Sequence, residues 1–356
     1  MMFRQSALVG VWCALLAGCG EEASVTPDAG EAPRNLSELR LFRGNGATQE
    51  PAEGVFPYTV TSPLFSDYTA KYRFIRLPPG ARITYSPRGV WRLPVGTVLV
   101  KTFAYLNDAR DGSRGQRLLE TRVLIKTAEG FIPHTYVWND AQTEAIRRVA
   151  GVNLDTVWID SSGATRNHVY TVPNTNQCLT CHGQQGMTDT LGLRNEQIDR
   201  ARADGTGNQI DDMVARGMFD VTPPPAAMRT RFVDPRDESQ ALEERARSYL
   251  HGNCAHCHNP NDRSMARSSG LNLDISETSP VNLGVCRRPN SAGRGTGGRF
   301  FDVVPGHADQ SVMVFRMETT DSELRMPQVG TNLPDAFGVE IVSRWINAMP
   351  AADCAR

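Results

Sequence analysis

The sequence predicts a multidomain chain, with a β-sandwich-like N-terminal domain followed by a mainly α-helical region. Three observations carry this prediction. Short β-prone runs separated by turn signals fill residues 51–170. Apolar residues at helical spacing take over from residue 171. Two Cys-x-x-Cys-His sequences, at 178–182 and 254–258, sit in that second part. A chain of 356 residues is long enough for two or three domains.

The N-terminus reads as an export signal. Arg4 supplies a positive charge, and residues 7–17 form an apolar run too short to span a bilayer as a helix. Leu16-Ala17-Gly18-Cys19 resembles a bacterial lipobox. By that resemblance residues 1–18 are a lipoprotein signal peptide and Cys19 is the lipidated first residue of the mature chain. The alternative is an ordinary signal peptide cut near Ala17 or Gly18, with Cys19 incidental. Gly20 follows rather than Asp, which by the enterobacterial sorting rule suits the outer membrane, facing the periplasm. No later run is long and apolar enough to span, so the lipid would be the only membrane attachment. Residues 19–50, rich in Glu, Ala, Pro and Gly, read as a flexible tether.

In the β-rich domain, 51–170, the stretches at 72–77, 97–103 and 121–126 are short β-prone runs. Pro78-Pro79-Gly80 and Asp111-Gly112 mark turns between them. Tyr136-Val137-Trp138 and Thr156-Val157-Trp158-Ile159 continue the pattern, and residues 140–150 suggest one short helix. His134 and His168 are isolated in sequence and read as surface or hydrogen-bonded core histidines.

Beyond 171, Leu242, Ala246, Tyr249 and Leu250 share one face of a helix running to 253. Asp335 can cap a closing helix whose apolar stripe is Val339, Val342, Trp345, Ile346 and Met349. Residues 208–217, with Ile210, Met213 and Val214, look like a shorter version of the same helix.

Cys178-Leu179-Thr180-Cys181-His182 and Cys254-Ala255-His256-Cys257-His258 have the attachment pattern of a c-type haem. Two thiols add to the two vinyl groups of one porphyrin, and the following imidazole binds the iron from one side. Two copies in an exported chain predict two covalently bound haems c, with His182 and His258 as proximal ligands. Zinc fits less well, because the two Cys pairs lie far beyond the ~15–20 residues between pairs of a zinc ribbon. Of eight cysteines, Cys13 lies in the leader, and Cys286 and Cys354 remain after anchor and haem motifs are assigned. In an oxidising compartment they are a disulfide candidate, against the alternative of two separate thiols.

Met326, in Arg325-Met326-Pro327 shortly before the closing helix, is the candidate distal ligand of the second haem. A thioether there favours reduced iron. Met313 and Met317 are fallbacks that look like core. The first haem has several candidates, Met187, Met213, Met218, Met228 and His168, or an open sixth position. His251, His256 and His307 read as surface or turn residues.

With these motifs placed, the chain resembles a bacterial family of dihaem c-type cytochromes with a Shewanella representative, also found fused to sugar-dehydrogenase-like domains. The resemblance rests on Lys101-Thr102-Phe103, Glu120-Thr121-Arg122, Tyr136-Val137-Trp138-Asn139-Asp140 and Asn176-Gln177-Cys178. It continues through 245–258, Val304-Pro305-Gly306, Arg316-Met317, Met326-Pro327 and Trp345-Ile346. It implies haem attachment at Cys178, Cys181, Cys254 and Cys257, and electron transfer outside the cytoplasm. On this basis 171–235 is expected to be a first haem c module and 236–356 a second, both cytochrome c-like.

The expected function is that of a lipid-anchored electron carrier exchanging electrons with a redox partner protein, a dehydrogenase or another cytochrome. A peroxidase-type dihaem enzyme with an open first haem is the alternative. A third reading has the β domain gripping a glycan or a protein. A net charge of −1 gives no sign of a nucleic-acid partner.

Overall fold

The structure is a computed structural model and describes residues 32–184, 187–188, 190–260 and 266–354. The expected leader and lipobox, with Cys19, lie outside the described residues. From Ala32 onward the expected tether is packed. Ala32, Leu36, Leu39 and Leu41 are buried against the sheet described next.

That sheet is antiparallel and runs in chain order. β1 (Val55–Tyr58), β2 (Ala70–Arg76), β3 (Val98–Leu106), β4 (Gln116–Lys126) and β5 (Phe131–Trp138) pair successively. β6 (Ala145–Arg148) returns onto β5, so the short helix expected at 140–150 is a turn and an edge strand. β7 (Val152–Ile159) and β8 (Thr165–Val172) form a separate hairpin. After the first motif, the two-residue strands β9 (Gly183–Gln184) and β10 (Met187–Thr188) extend the sheet beside Phe131.

Alternation along each strand separates two faces. One buries Val98, Val100, Val123, Ile125, Tyr136 and Trp138 under the N-terminal segment. On the other, Ile75, Leu99 and Phe131 pack against Ile83, Trp91, Leu193, Ile198, Ile210 and Phe219.

The predicted fold class is not what is observed. The second face of the sheet is covered by loops and short helices rather than by a second sheet, so the β part is no sandwich. The remainder is not a mainly α cytochrome c-like region either, since only 22% of the structure is helical. After the β strands come α1 (Thr175–His182), α2 (Asn195–Ile198) and α3 (Gln209–Ala215). Then follow α4 (Leu242–Asn253), α5 (Val312–Glu318) and α6 (Ala336–Ala348). The physical reason is the spacing of glycine and proline. Pro223-Pro224-Pro225 and the left-handed glycines Gly284, Gly293, Gly297, Gly298 and Gly306 interrupt every longer stretch. Residues 190–219 also have another role, because they cover the sheet: the Trp91 N–H donates to Leu193 and the Ile83 N–H to Met218.

The two apolar stripes read from the sequence do form helices, α4 and α6, and these pack on each other. Burying Ile341, Val342, Trp345 and Ile346 with Ala246 and Leu250 stabilises this corner by roughly 1.5–3 kcal/mol for each large side chain. A Cβ at Gly338 would overlap the Tyr249 ring, so glycine sets how closely the helices approach. Asp335 sits at the N-cap position, but its carboxylate accepts from the Tyr249 hydroxyl at 3.0 Å rather than capping its own helix. Cys286 and Cys354 are joined by a disulfide.

Polar ties from the loop between β1 and β2 bind the sheet to the C-terminal part. The Phe65 N–H donates to Asn253 Oδ1 at 2.7 Å. The buried Asp67 carboxylate accepts from the N–H groups of Asn332 and Leu333. No helix among the described residues is long and apolar enough to cross a membrane.

Candidate functional site

The second Cys-x-x-Cys-His sequence is a tight turn at the C-terminal end of α4. The Cys257 and His258 N–H groups both donate to the Cys254 carbonyl, at 3.1 and 2.8 Å. Burial pushes the Cys254 thiol up to about 12, so it stays protonated. His258 is half-buried. Its Nδ1 lies 2.9 Å from Ser269 Oγ, which leaves Nε2 as the nitrogen that could serve as a donor to a metal. Burial, with the nearby His256 and Arg316 charges, lowers its pKa to about 4, which keeps the imidazole neutral as a metal ligand requires.

Cys254, His258, Met317 and Met326 line two adjoining cavities of about 160 and 80 Å³. Met326 is therefore brought to the same hollow as His258 although 68 residues separate them. Its N–H donates to the Arg316 carbonyl at 2.6 Å, which holds the loop against α5. Met317 shares both cavities and Met313 the smaller one, so the fallback methionines lie nearby. Asp302 also borders the smaller cavity. Burial raises its carboxyl to about 6, and its Oδ2 has no hydrogen-bond partner.

The first Cys-x-x-Cys-His sequence occupies most of α1. Asn174 and Gln177 bond each other's backbone N–H groups at 2.9 Å and start this short helix. Cys178 and His182 open onto a larger cavity of about 350 Å³. The side chain of Cys181 lies outside the described residues. The cavity is walled by the sheet on one side and by His251, Gly252, Ala255 and His256 of the second motif region on the other.

Register places one cross-strand row on the cavity wall. Tyr58 pairs with Arg73, Arg73 with Lys101, Lys101 with Arg122, and Arg122 with Thr135. Arg122 is matched by Glu120 through two bonds of 2.8 and 2.6 Å, and Tyr170 donates to the same carboxylate at 2.7 Å. Lys101 and Arg122 both lie over the Phe103 ring, at 4.7 and 4.4 Å from its centre. Burial, and then Arg73, Lys71 and Arg122, push the Lys101 ammonium well below its usual range, while burial lowers Arg73. Lys71 falls to about 7, again chiefly through burial.

The candidates for a second ligand in this cavity fare poorly. Met213 is core, Met228 is exposed, and Met218 packs with the group around Trp91. The side chain of Met187 lies outside the described residues. His168 Nε2 is 3.2 Å from Asp67. His134 borders the cavity, but it pairs with Val123 and so projects from the opposite face. His251, expected as a surface or turn residue, is half-buried and has both ring nitrogens engaged, with Arg194 and the Ile275 N–H.

Phe65, His256, Pro327 and Val329 line both the large cavity and one cavity of the second motif. The two motifs thus face hollows that adjoin across one layer of side chains. Sequence reading missed this layer and the cationic row. The only signal was single basic residues set in otherwise apolar strands, and their alignment appears only with the register.

The thiols, the neutral imidazole, the thioether beside it and the cationic wall of an adjoining cavity together match the donor set and charge of a haem. No protein-family model, curated protein or solved structure matches this chain.

Proposed function

We propose that this chain is an exported electron carrier with two covalently bound haems c, held at Cys178 and Cys181 and at Cys254 and Cys257. The observation that carries the reading is that each Cys-x-x-Cys-His sequence opens onto its own cavity, and that the cavities adjoin at Phe65, His256, Pro327 and Val329. Haem iron supplies one-electron exchange between its ferric and ferrous states. The protein's part is to hold each iron and exclude water. His182 and His258 are the proximal ligands in this reading, and Met326 the distal ligand of the second. Ser269 fixes the tautomer and orientation of His258. Phe65 and His256 form the short partition between the sites. A dehydrogenase or another cytochrome is the proposed redox partner, and the lipid on Cys19 the proposed attachment to the outer membrane, on its periplasmic side.

The test is intact-mass and pyridine-haemochrome analysis of protein matured in a host that attaches haem. Two haems per chain are expected, falling to one in Cys178→Ala/Cys181→Ala. A protein with no covalent haem would sink the reading. Steady peroxide turnover by the holoprotein would favour the peroxidase-type enzyme instead.

A further inference from the structure

Four cationic side chains line the larger cavity: Arg73, Lys101, Arg122 and Arg194. Two are matched. Arg122 is held by Glu120, and Arg194 by Glu196 at 2.9 Å. Asp274, the carboxylate that borders the cavity, is occupied by the Ser276 N–H and hydroxyl and lies 3.4 Å from His251. Arg73 and Lys101, neighbours in register on β2 and β3, have no hydrogen-bonded or ion-paired carboxylate among the described residues. Keeping two adjacent cations on a desolvated wall is costly unless an anion joins them.

Their position says which part of a haem they would meet. Cys178 is on α1, which packs against β5, and so lies on the Arg122 side of the row. Lys101 is one strand further on and Arg73 two, about 10 Å across the sheet at ordinary strand spacing. The thioethers of a c-type haem form on one edge of the macrocycle, and its two propionates leave from the opposite edge. A macrocycle pinned at Cys178 and lying across this wall turns that opposite edge toward β3 and β2. Resting on the haem reading above, we propose that Arg73 and Lys101 form the anion site for the two propionate carboxylates of the haem held at Cys178 and Cys181.

Two carboxylates would meet two unmatched cations, and the wall would become neutral. Tyr58, next in the row, places a hydroxyl beside Arg73. Arg122, already neutralised by Glu120, would take no part beyond shaping the wall.

The experiment is a spectroelectrochemical titration of the holoprotein and of Arg73→Met, Lys101→Met, the double variant and Lys101→Arg. One of the two haem waves should move to lower potential in each Met variant, because removing a nearby cation favours ferric iron. The shift should be larger in the double variant and largely absent in Lys101→Arg. The moving wave should be the one missing from Cys178→Ala/Cys181→Ala. Loss of one haem from the double variant alone, with Lys101→Arg retaining both, supports the proposal equally. Two retained haems with both waves unmoved in the double variant would overturn it. So would saturable binding of inorganic phosphate by the wild-type holoprotein that the double variant abolishes, since the cations would then be free for another anion. Wild-type protein lacking covalent haem overturns the underlying reading as well, and intact mass tells that case apart.

Discussion

Removing the Cys286–Cys354 bond tests how the second motif's surroundings are held. The bond closes a loop with a sequence separation of 68 residues, which contains Met326, α5 and α6. In the chain-entropy account a cross-link removes about 2.1 + 1.5R ln n cal/mol/K from the unfolded ensemble. For this loop that is about 4 kcal/mol at room temperature, a large part of a domain's ordinary stability. Thermal unfolding of Cys286→Ala/Cys354→Ala, followed by circular dichroism beside the wild type, should show a midpoint lower by on the order of 10 °C. A reductant should lower the wild type similarly and leave the double variant unmoved. A double variant within about 1 kcal/mol of wild type would refute the reasoning, because the unfolded chain would then already be confined in some other way.

In the haem-loaded protein, Met326→Ala should abolish the methionine-to-iron charge-transfer band of one haem and lower its potential; an unchanged band would hand the role to Met317 or Met313. Ser269→Ala removes the acceptor for His258 Nδ1–H, makes the imidazole a weaker donor, and should raise the potential of that same haem. Asp302 has a folded pKa raised from 3.8 to about 6, so its protonated form is favoured by folding. Its contribution is fully present below about pH 4 and is lost as pH rises through 6, so Asp302→Asn should flatten the fall in melting temperature across that window in the apo protein. Gly338→Val would force the Tyr249 ring away from α6 and should cost about 1–3 kcal/mol in chemical unfolding, whereas a null effect would show that the helices can part freely.

Legibility in the sequence followed range. α4 and α6 were readable because their stripes, Leu242 to Leu250 and Val339 to Ile346, repeat at helical spacing within one element. Cys286 and Cys354 could be paired by subtraction from the other thiols, whatever the path between them. The short helix at 208–217 was readable in the same way and forms as α3, but spacing did not tell that Ile210 and Met213 bury against Trp91 and Phe219 on the sheet. Asp335 had the composition of a cap but is recruited by Tyr249. His251 and His134 could not be ranked from sequence, since burial and strand face decide what each nitrogen meets.

By itself the sequence determined the chemistry that lies within a single turn of chain. A Cys-x-x-Cys-His spacing presents two thiols and an imidazole together however the rest folds, because four residues of backbone leave few alternatives. Only the tertiary structure decided what those groups face. Met326 and Met317 come to line the same hollows as His258, Arg73 aligns with Lys101, and Phe65 and His256 border both cavities, through contacts between distant parts of the chain. Such contacts depend on strand register and loop closure, where a slip of one residue would turn Lys101 to the opposite face of the sheet and leave the motif itself untouched.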